Sequence, residues 1–391
     1  MTALAAWVFW LSLGTAFYTV AGYGVILLAL ARLFGRPHAP ASAAPASAAP
    51  RRLEVEFLIA AHNEAAHIVA KIRNCLDQDN PDGHRLRVIV ASDGSSDGTV
   101  ALARAVDDPR VEVIALPRRG GKAAALNAGL ARLRGDVVVF TDANSLLAPG
   151  SLRAMLRHFA DPAVGGVCGR ISVDADSAGS IGRAEGLYWR YDQALKAAES
   201  RLGGTIAAQG SIYALRREIC APVPPGMADD FILSVRAVDR GYRLVFEPQA
   251  VTREQVTERA GDEMRRRIRS TERGWRALMA CRHLMNPLRT GFYGWQLFSH
   301  KFLRGLMPAL MLLILLSSLV LSGQGWGHAA FAGLQLGGYG LAIAALLVPP
   351  LRRLPLAGSA MFFVMSNIAM LRGLIAYYRG VQTTLWRPVR D

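Results

Sequence analysis

From Thr2 to Ala31 the chain carries no charged residue, and that run limits what it can fold into more than any other feature. At 1.5 Å of rise per residue it makes about 45 Å of helix, longer than the ~30 Å hydrocarbon core of a bilayer. It is expected to cross a membrane. A cleaved signal peptide is the competing reading, but the run is too long and no basic residue precedes it. Arg32 and Arg36 follow, then a low-complexity Ala/Pro/Ser segment, 37–52, that ends in Arg51 and Arg52 and reads as a linker without a core. Basic residues beside a span favour the cytoplasm, which places the amino end of the transmembrane segment 1–36 outside and the chain after the linker inside.

Between Arg304 and Arg352 there is again no Lys, Arg, Asp or Glu, and the Gly-rich break Ser322 to His328 divides this stretch into two spans of about 20 residues. A third apolar stretch, Leu354 to Leu371, is bracketed by Arg353 and Arg372, with Arg379, Arg387 and Arg390 beyond. Counting spans over 305–391 puts that basic tail outside, against the positive-inside tendency. Two readings stay open: the segment crosses and breaks the tendency, or it lies in the interface or turns back. Just upstream, 283–304 mixes aromatic with basic residues, as an interfacial amphipathic segment does.

The formal net charge is +15, from 45 Lys and Arg against 30 Asp and Glu. Part of the excess lies beside the apolar runs and in Arg265-Arg266-Arg267-Ile268-Arg269. Anionic lipid and a diphosphate ligand account for it, and no nucleic-acid partner is expected. Cys75, Cys168, Cys220 and Cys281 show no Cys-x-x-Cys spacing and read as reduced packing thiols of a cytoplasmic domain.

Residues 53–282 differ in kind. Short β-rich runs (Leu53 to Ala61, Leu86 to Ser92, Val111 to Leu116, Asp136 to Thr141, Val164 to Val173) alternate with helical stretches (Ala65 to Gln78, Thr99 to Val106, Lys122 to Leu133, Pro149 to Phe159). The alternation predicts an α/β domain with a mostly parallel sheet covered by helices. Further helices are expected over 180–200, 229–240 and 261–280, and a strand over 205–215. Polar clusters follow the strands or open the helices, where open α/β sheets bind ligands. Asp142 and Asn144, two apart at a strand end, offer oxygens to one hard cation, or else form a turn bonded to its own backbone. Asp229 and Asp230 precede a helix that either of them also caps. Lys122 follows Gly120-Gly121 at a helix start whose free amides favour phosphate.

With these motifs in this order, the chain resembles glycosyltransferase family 2, specifically its membrane-embedded polysaccharide-synthase-like members, over roughly residues 53 to 305. The resemblance implies a GT-A (Rossmann-like) cytoplasmic domain with transmembrane helices at both ends, and inverting transfer from a nucleotide diphosphate sugar. Asp142-Ala143-Asn144 corresponds to the family's Asp-x-Asp and implies a divalent cation, Mg²⁺ or Mn²⁺; the neutral Asn144 departs from the pattern. Asp230 corresponds to the general base, with Asp229 beside it. Asp93, Asn63 and Glu64 correspond to nucleoside contacts, Lys122 to a donor contact, and Gln209 to the acceptor subsite. In place of the processive members' Gln-x-x-Arg-Trp stands Arg269-Ser270-Thr271-Glu272-Arg273-Gly274-Trp275, which leaves Arg267, Arg273 and Trp275 as candidates for acceptor or diphosphate. His300 reads as an interface or acceptor-path residue, because no second His lies at metal-ligand spacing.

The partners implied are a UDP-sugar donor, a glycan or lipid-linked acceptor, and membrane lipids. Three or four spans are few for a polymer channel, which implies an export partner or a homo-oligomer. A multi-pass protein of the cell inner (plasma) membrane follows, building a cell-surface polysaccharide or lipid-linked glycan. A second reading is transfer of one sugar to polyprenyl phosphate or a glycolipid. A third, a catalytically silent nucleotide-sensing scaffold, is opposed by the retention of Asp93, Asp142 and Asp230 together.

Overall fold

A computed structural model of the chain describes residues 2–36, 52–173, 180–254 and 260–382. Nearly all of the expected linker, and the tail beyond Gln382, lie outside the described residues. The strands are β1 Glu54–Ala61, β2 Arg85–Ser92, β3 Val111–Ala115, β4 Val137–Asp142, β5 Leu146–Leu147, β6 Val164–Val173, β7 Tyr213–Arg216 and β8 Arg243–Glu254. The helices are α1 Thr2–Phe17, α2 Tyr23–Leu33, α3 Ile68–Leu76, α4 Thr99–Arg104, α5 Lys122–Leu130, α6 Ser151–Leu156, α7 Ser180–Arg201, α8 Asp229–Asp239, α9 Ala260–Ala280, α10 Pro287–Thr290, α11 Phe292–Leu297, α12 Leu303–Gly305, α13 Met307–Val320, α14 Trp326–Leu347 and α15 Pro355–Tyr378.

All eight strands join one sheet in the order β3-β2-β1-β4-β7-β6-β8-β5. The amino-terminal half is parallel, with β1 paired to β2 and β4 and β2 to β3. Then β7 inserts antiparallel between β4 and β6, and β6 and β8 run parallel again, so the sheet is mixed. The strands of the parallel half are apolar on both faces, as a doubly covered sheet requires. Val55, Phe57 and Ile59 of β1 face a cluster that includes Ile68, Ile72 and Cys75 of α3. Leu58 and Ala60, between them, face a second cluster with Leu126 of α5, Phe231 of α8 and Trp275 of α9.

Apart from the two-residue β5, which the sequence did not predict, two strands differ from the expectation. The strand expected over 205–215 forms only at Tyr213–Arg216, because 205–212 is irregular, with a turn at Gly210 and Ser211 that brings Gly210 beside Asp230. β8 has no counterpart in the sequence reading: Glu247-Pro248-Gln249 interrupts its apolar pattern, yet Leu244, Val245 and Phe246 are buried and pair with β6 across a register shift.

Among the described residues three helices are long and apolar enough to cross a membrane: Thr2–Leu33, which is α1 and α2 joined through a π turn, Trp326–Leu347 and Pro355–Tyr378. The first span expected after Arg304 is shorter than foreseen. α13 has 14 residues and meets Phe292–Gly305 at a 59° bend where Pro308 opens the helix. Met307 and Ile314 of α13 and Leu321 just after it pack with Ala16 and Phe9 of α1, and the Phe9 ring lies 5.0 Å from that of His328. The turn between α13 and α14 therefore reaches the amino-terminal end of α1. α2 instead enters the domain, where Tyr23, Leu27 and Ala31 bury against Leu195 and Ala198 of α7.

Candidate active site at the carboxyl ends of the parallel strands

Register places the polar clusters at one level. Ala60 of β1 pairs with Ala91 of β2 on one side and with Asp142 of β4 on the other, so the residues following β1 and β2 and the end of β4 emerge together. Asp93 is fully buried there, and its carboxylate accepts N–H from Gly120 at 2.7 Å and from Gly121 at 2.8 Å. Gly121 has φ 89°, which only glycine adopts without strain, and it turns directly into α5 with Lys122. Asp93 thus shapes the loop that presents Lys122.

Asn63 and Glu64 close the same edge. Asn63 adopts φ 57° and its Oδ1 accepts the Ser96 N–H at 2.9 Å, tying the β1 loop to the β2 loop. Glu64 is buried, and its Oε2 lies 2.9 Å from His67 Nδ1. Burial pushes its carboxyl above the usual range, and the His67 contact opposes that. Asp97 caps α4 through the Thr99 N–H at 3.0 Å.

Opposite this edge Lys122 Nζ donates to Asp142 Oδ1 at 2.9 Å and lies 3.1 Å from Asp229 Oδ2. Asp230 follows at the α8 start, half-buried, its Oδ1 accepting the Phe231 N–H at 2.8 Å. Burial and the charge of Asp229 push the Asp230 carboxyl up, while Lys301 and Lys122 pull it down; the net direction is upward. The Lys301 ammonium stands 5.1 Å from the centre of the Phe231 ring. A carboxyl raised toward neutrality beside a carboxylate pair held by a cation is a division of labour suited to acid–base and charge-stabilising roles.

The turn that carries Asp142 is fastened from behind by residues the sequence reading did not single out. Lys71 of α3 is fully buried, and its Nζ donates to Thr141 Oγ1 at 2.7 Å and to the Ser145 carbonyl. One turn further along α3, Asn74 exchanges two hydrogen bonds with the Leu147 backbone, at 2.8 and 2.9 Å. Burial lowers the Lys71 pKa. The only signal available was a lysine at helical spacing among Ile68, Ile72 and Cys75, where an apolar residue is the rule. Asn144 itself is exposed. Among the described residues no group of three or more His, Cys, Asp or Glu side chains is placed to hold a metal. Asp142 and Asn144 offer two hard oxygen donors, a set that fits a cation arriving with a diphosphate that completes its ligands.

Gln209 is joined to this centre through Gly210, where an added Cβ would lie 3.6 Å from Asp230 Oδ2. Its Nε2 donates to Asp192 Oδ2 at 3.2 Å, while its Oε1 is buried with no partner. Asp192 also faces His300 Nε2 at 3.5 Å, and His300 Nδ1 lies 2.7 Å from Glu199. Glu199 accepts from Tyr23 Oη at 2.7 Å, so a buried polar chain runs from the amino-terminal helix to the site. Arg273 touches the centre through its carbonyl, which accepts the Ala228 N–H. Trp275 turns the other way, buried and stacked on Phe302 at 5.4 Å, and Arg267 lies over Phe362 of α15 at 4.9 Å.

Comparison with known proteins bears on the domain that holds these residues. The family model described as Glycosyl transferase family 2 matches residues 56–221, which hold β1 to β4 and the Asp93, Lys122 and Asp142 clusters. The chain carries a glycosyltransferase family 2 domain. The domain with its flanks is 26% identical over 233 residues to an N-acetylglucosaminyltransferase of Rhizobium sp. (strain N33), covering 55% of this chain and 51% of that one. It is 27% identical over 235 residues to the poly-beta-1,6-N-acetyl-D-glucosamine synthase of Staphylococcus aureus (strain COL), covering 58% and 55%. The chain thus spans about half the length of these curated relatives. A solved mannosyltransferase, PcManGT from Pyrobaculum calidifontis in complex with GDP-Man and Mn²⁺, superposes with a TM-score of 0.67 at 23% identity, covering 96% of this chain and 98% of that one. The family 2 domain has the mixed sheet of the GT-A fold expected from the sequence, flanked by apolar helices at both ends.

Proposed function

We propose that this protein is an inverting membrane glycosyltransferase that moves a sugar from a cytoplasmic UDP-sugar to a growing cell-surface polysaccharide or lipid-linked glycan. The observation that carries the reading is the convergence of Lys122, Asp142, Asp229 and Asp230 within one constellation at the strand ends. The names of the relatives, an N-acetylglucosaminyltransferase and a poly-N-acetylglucosamine synthase, favour a UDP-N-acetylhexosamine donor. Asp142 and Asn144 would hold the divalent cation, Mg²⁺ or Mn²⁺, which supplies positive charge to the leaving diphosphate. Asp230 takes the proton of the acceptor hydroxyl as its oxygen bonds to the anomeric carbon. The bond from that carbon to the diphosphate oxygen breaks, and UDP leaves with the electron pair, its charge met by Lys122. Gln209, with its unpartnered Oε1, is placed to receive an acceptor hydroxyl. The Thr2–Leu33 span and the α13–α14 hairpin would cross the inner membrane, with the family 2 domain in the cytoplasm.

A second reading, transfer of one sugar to a polyprenyl phosphate or glycolipid, is favoured by one observation: Trp275 is buried against Phe302, and Arg273-Gly274-Trp275 lacks the Gln of the processive motif. Purified full-length protein in lipid, incubated with labelled UDP-GlcNAc, UDP-glucose and GDP-mannose and membrane lipid extract, tests both. A ladder of products supports polymerisation and a single adduct the second reading. Neither product nor nucleoside diphosphate release (UDP or GDP) with any donor would remove the enzymatic reading.

A further inference from the structure

α15 has the length and hydropathy of a membrane span, but one of its ends packs on the returning end of α14 and the other on the domain. α14 begins at Trp326, beside the amino-terminal end of α1, and runs antiparallel to α13, to which Gln335 Nε2 bonds at the Met311 carbonyl (2.8 Å). Its other end therefore returns toward the domain, where Arg352 caps it through the Ala345 and Leu346 carbonyls at 2.9 and 2.7 Å. Ala357 and Met361 of α15 pack on Ala345 at that end. At the far end of α15, Arg276 of α9 donates to the Val381 carbonyl at 2.7 Å and stands 5.2 Å over the Tyr377 ring. Leu374 belongs to the same buried cluster as Phe231 and Trp275 of the domain.

Between its ends α15 follows α9. Arg267 lies over Phe362, and Gly373 approaches so closely that an added Cβ would sit 2.9 Å from the Ile268 carbonyl. α9 carries Arg265, Arg266, Arg267 and Arg269, so a crossing α15 would draw arginines into hydrocarbon. On the side away from α9, the exposed residues of α15 are apolar at helical spacing: Leu356, Phe363, Ile368, Leu371, Ile375 and Tyr378. Arg372, Arg379, Arg265 and Arg266 are exposed at its margins. An apolar face rimmed by arginine matches an anionic leaflet surface in shape and in charge.

We infer that α15, backed by α9, is an in-plane helix docked on the anionic headgroups of the leaflet facing the catalytic domain, and that it does not cross. The inference rests on the proposed reading that α1 crosses with the domain on one side. It resolves the parity conflict in the sequence, since the basic tail then leaves on the domain's side in accord with the positive-inside tendency. It also joins the membrane surface to the site: Gln382 meets Gly226, three residues before Asp229.

The test uses full-length protein in sealed vesicles of known orientation and a membrane-impermeant maleimide, with wild type as the control for native thiols. Arg153→Cys on the domain and Gln382→Cys after α15 are expected to label from the same side. Labelling from opposite sides would overturn the inference. Same-side labelling from outside the cell would instead sink the cytoplasmic placement and leave the inference standing. A depth measurement is independent of orientation: fluorophores at Phe363→Cys and Ile375→Cys should be quenched alike by shallow nitroxide lipids. A spanning helix would separate them by about 18 Å in depth and quench them unequally. Amide exchange in α15 should be slower in vesicles containing phosphatidylglycerol than in phosphatidylcholine alone; equal rates would remove the headgroup partner.

Discussion

Lys122 Nζ lies 2.9 Å from Asp142 Oδ1, and the same ammonium is 3.1 Å from Asp229 Oδ2. Burial alone would lower the Lys122 pKa, but the two carboxylates outweigh it and hold the pKa above the ordinary range. The side chain stands where a cation brought by the donor would compete for Asp142, and it is also the group nearest to meet a diphosphate. Lys122→Met should therefore have opposite effects on two ligands. Bare Mn²⁺ should bind more tightly, since the carboxylates lose their internal partner. UDP with Mn²⁺ should bind about tenfold or more weakly, the scale of a lost charge-assisted hydrogen bond. Calorimetric titration separates the two, and parallel losses would sink the competition.

Lys71 offers a test of the turn behind that site. It holds Thr141 and Ser145 on either side of Asp142-Ala143-Asn144, so Lys71→Met should free the turn without touching any ligand atom. Affinity for UDP is expected to fall about tenfold with Mn²⁺ present, the scale of lost support behind a metal ligand, and little in chelator. Asn74→Ala loosens the neighbouring Leu147 contact and should lower the melting temperature while sparing that affinity. If both variants change stability alone, Lys71 is part of the packing and no more.

Asp230 gives the pH dependence. Its folded pKa is raised, so the ionised form is disfavoured by the fold. The sign follows: the penalty is absent below the unfolded carboxyl pKa and grows as pH rises through the folded value. Asp230→Asn keeps an oxygen for the Phe231 N–H and should raise the melting temperature at neutral pH, a gain that shrinks on acidification. The same variant should abolish transfer and leave UDP affinity within about twofold, while wild-type transfer rises with pH around a midpoint above the ordinary ~3.9 of Asp. Wild-type turnover in the variant would remove Asp230 as base.

The parts of this site that the sequence revealed are those where an apolar strand meets a polar residue, because burial on both faces leaves the strand end as the first place for Asp93 or Asp142. What stayed hidden depends on partners far along the chain. Lys71 reads as a solvated lysine until residues 70 and 74 positions away cover it. β8 was obscured by Pro248, tolerated because the register shifts there. An amphipathic α9 does not say which face Arg267 and Trp275 take, and α15 set that by occupying one of them. The apolar run left α15 open between a span and an interfacial helix, and its contacts with Arg276 and at Gly373 favour the second.

Glu199 is the node where the amino-terminal helix and the domain meet, and its removal should tell most about their coupling. It is fully buried and receives Tyr23 Oη at 2.7 Å, Thr205 Oγ1 at 3.1 Å and the Ile206 N–H at 3.2 Å, with His300 Nδ1 at 2.7 Å. Glu199→Ala leaves His300 and the backbone donor without their acceptor and should cost roughly 3–5 kcal/mol, the loss seen when one partner of a buried pair is deleted. Tyr23→Phe removes one of several donors and should cost about 1 kcal/mol. Trp7→Ala, on a side chain that is 77% exposed, should cost almost nothing. Thermal melts in one detergent rank the three. The expected order also has a local signature: amide exchange should speed up in α2 and α7 for Glu199→Ala and stay unchanged in β1 and β4, because the sheet does not depend on this junction. Faster exchange spread evenly over the sheet would mean that Glu199 supports the domain as a whole and that the helix is not specifically tied through it.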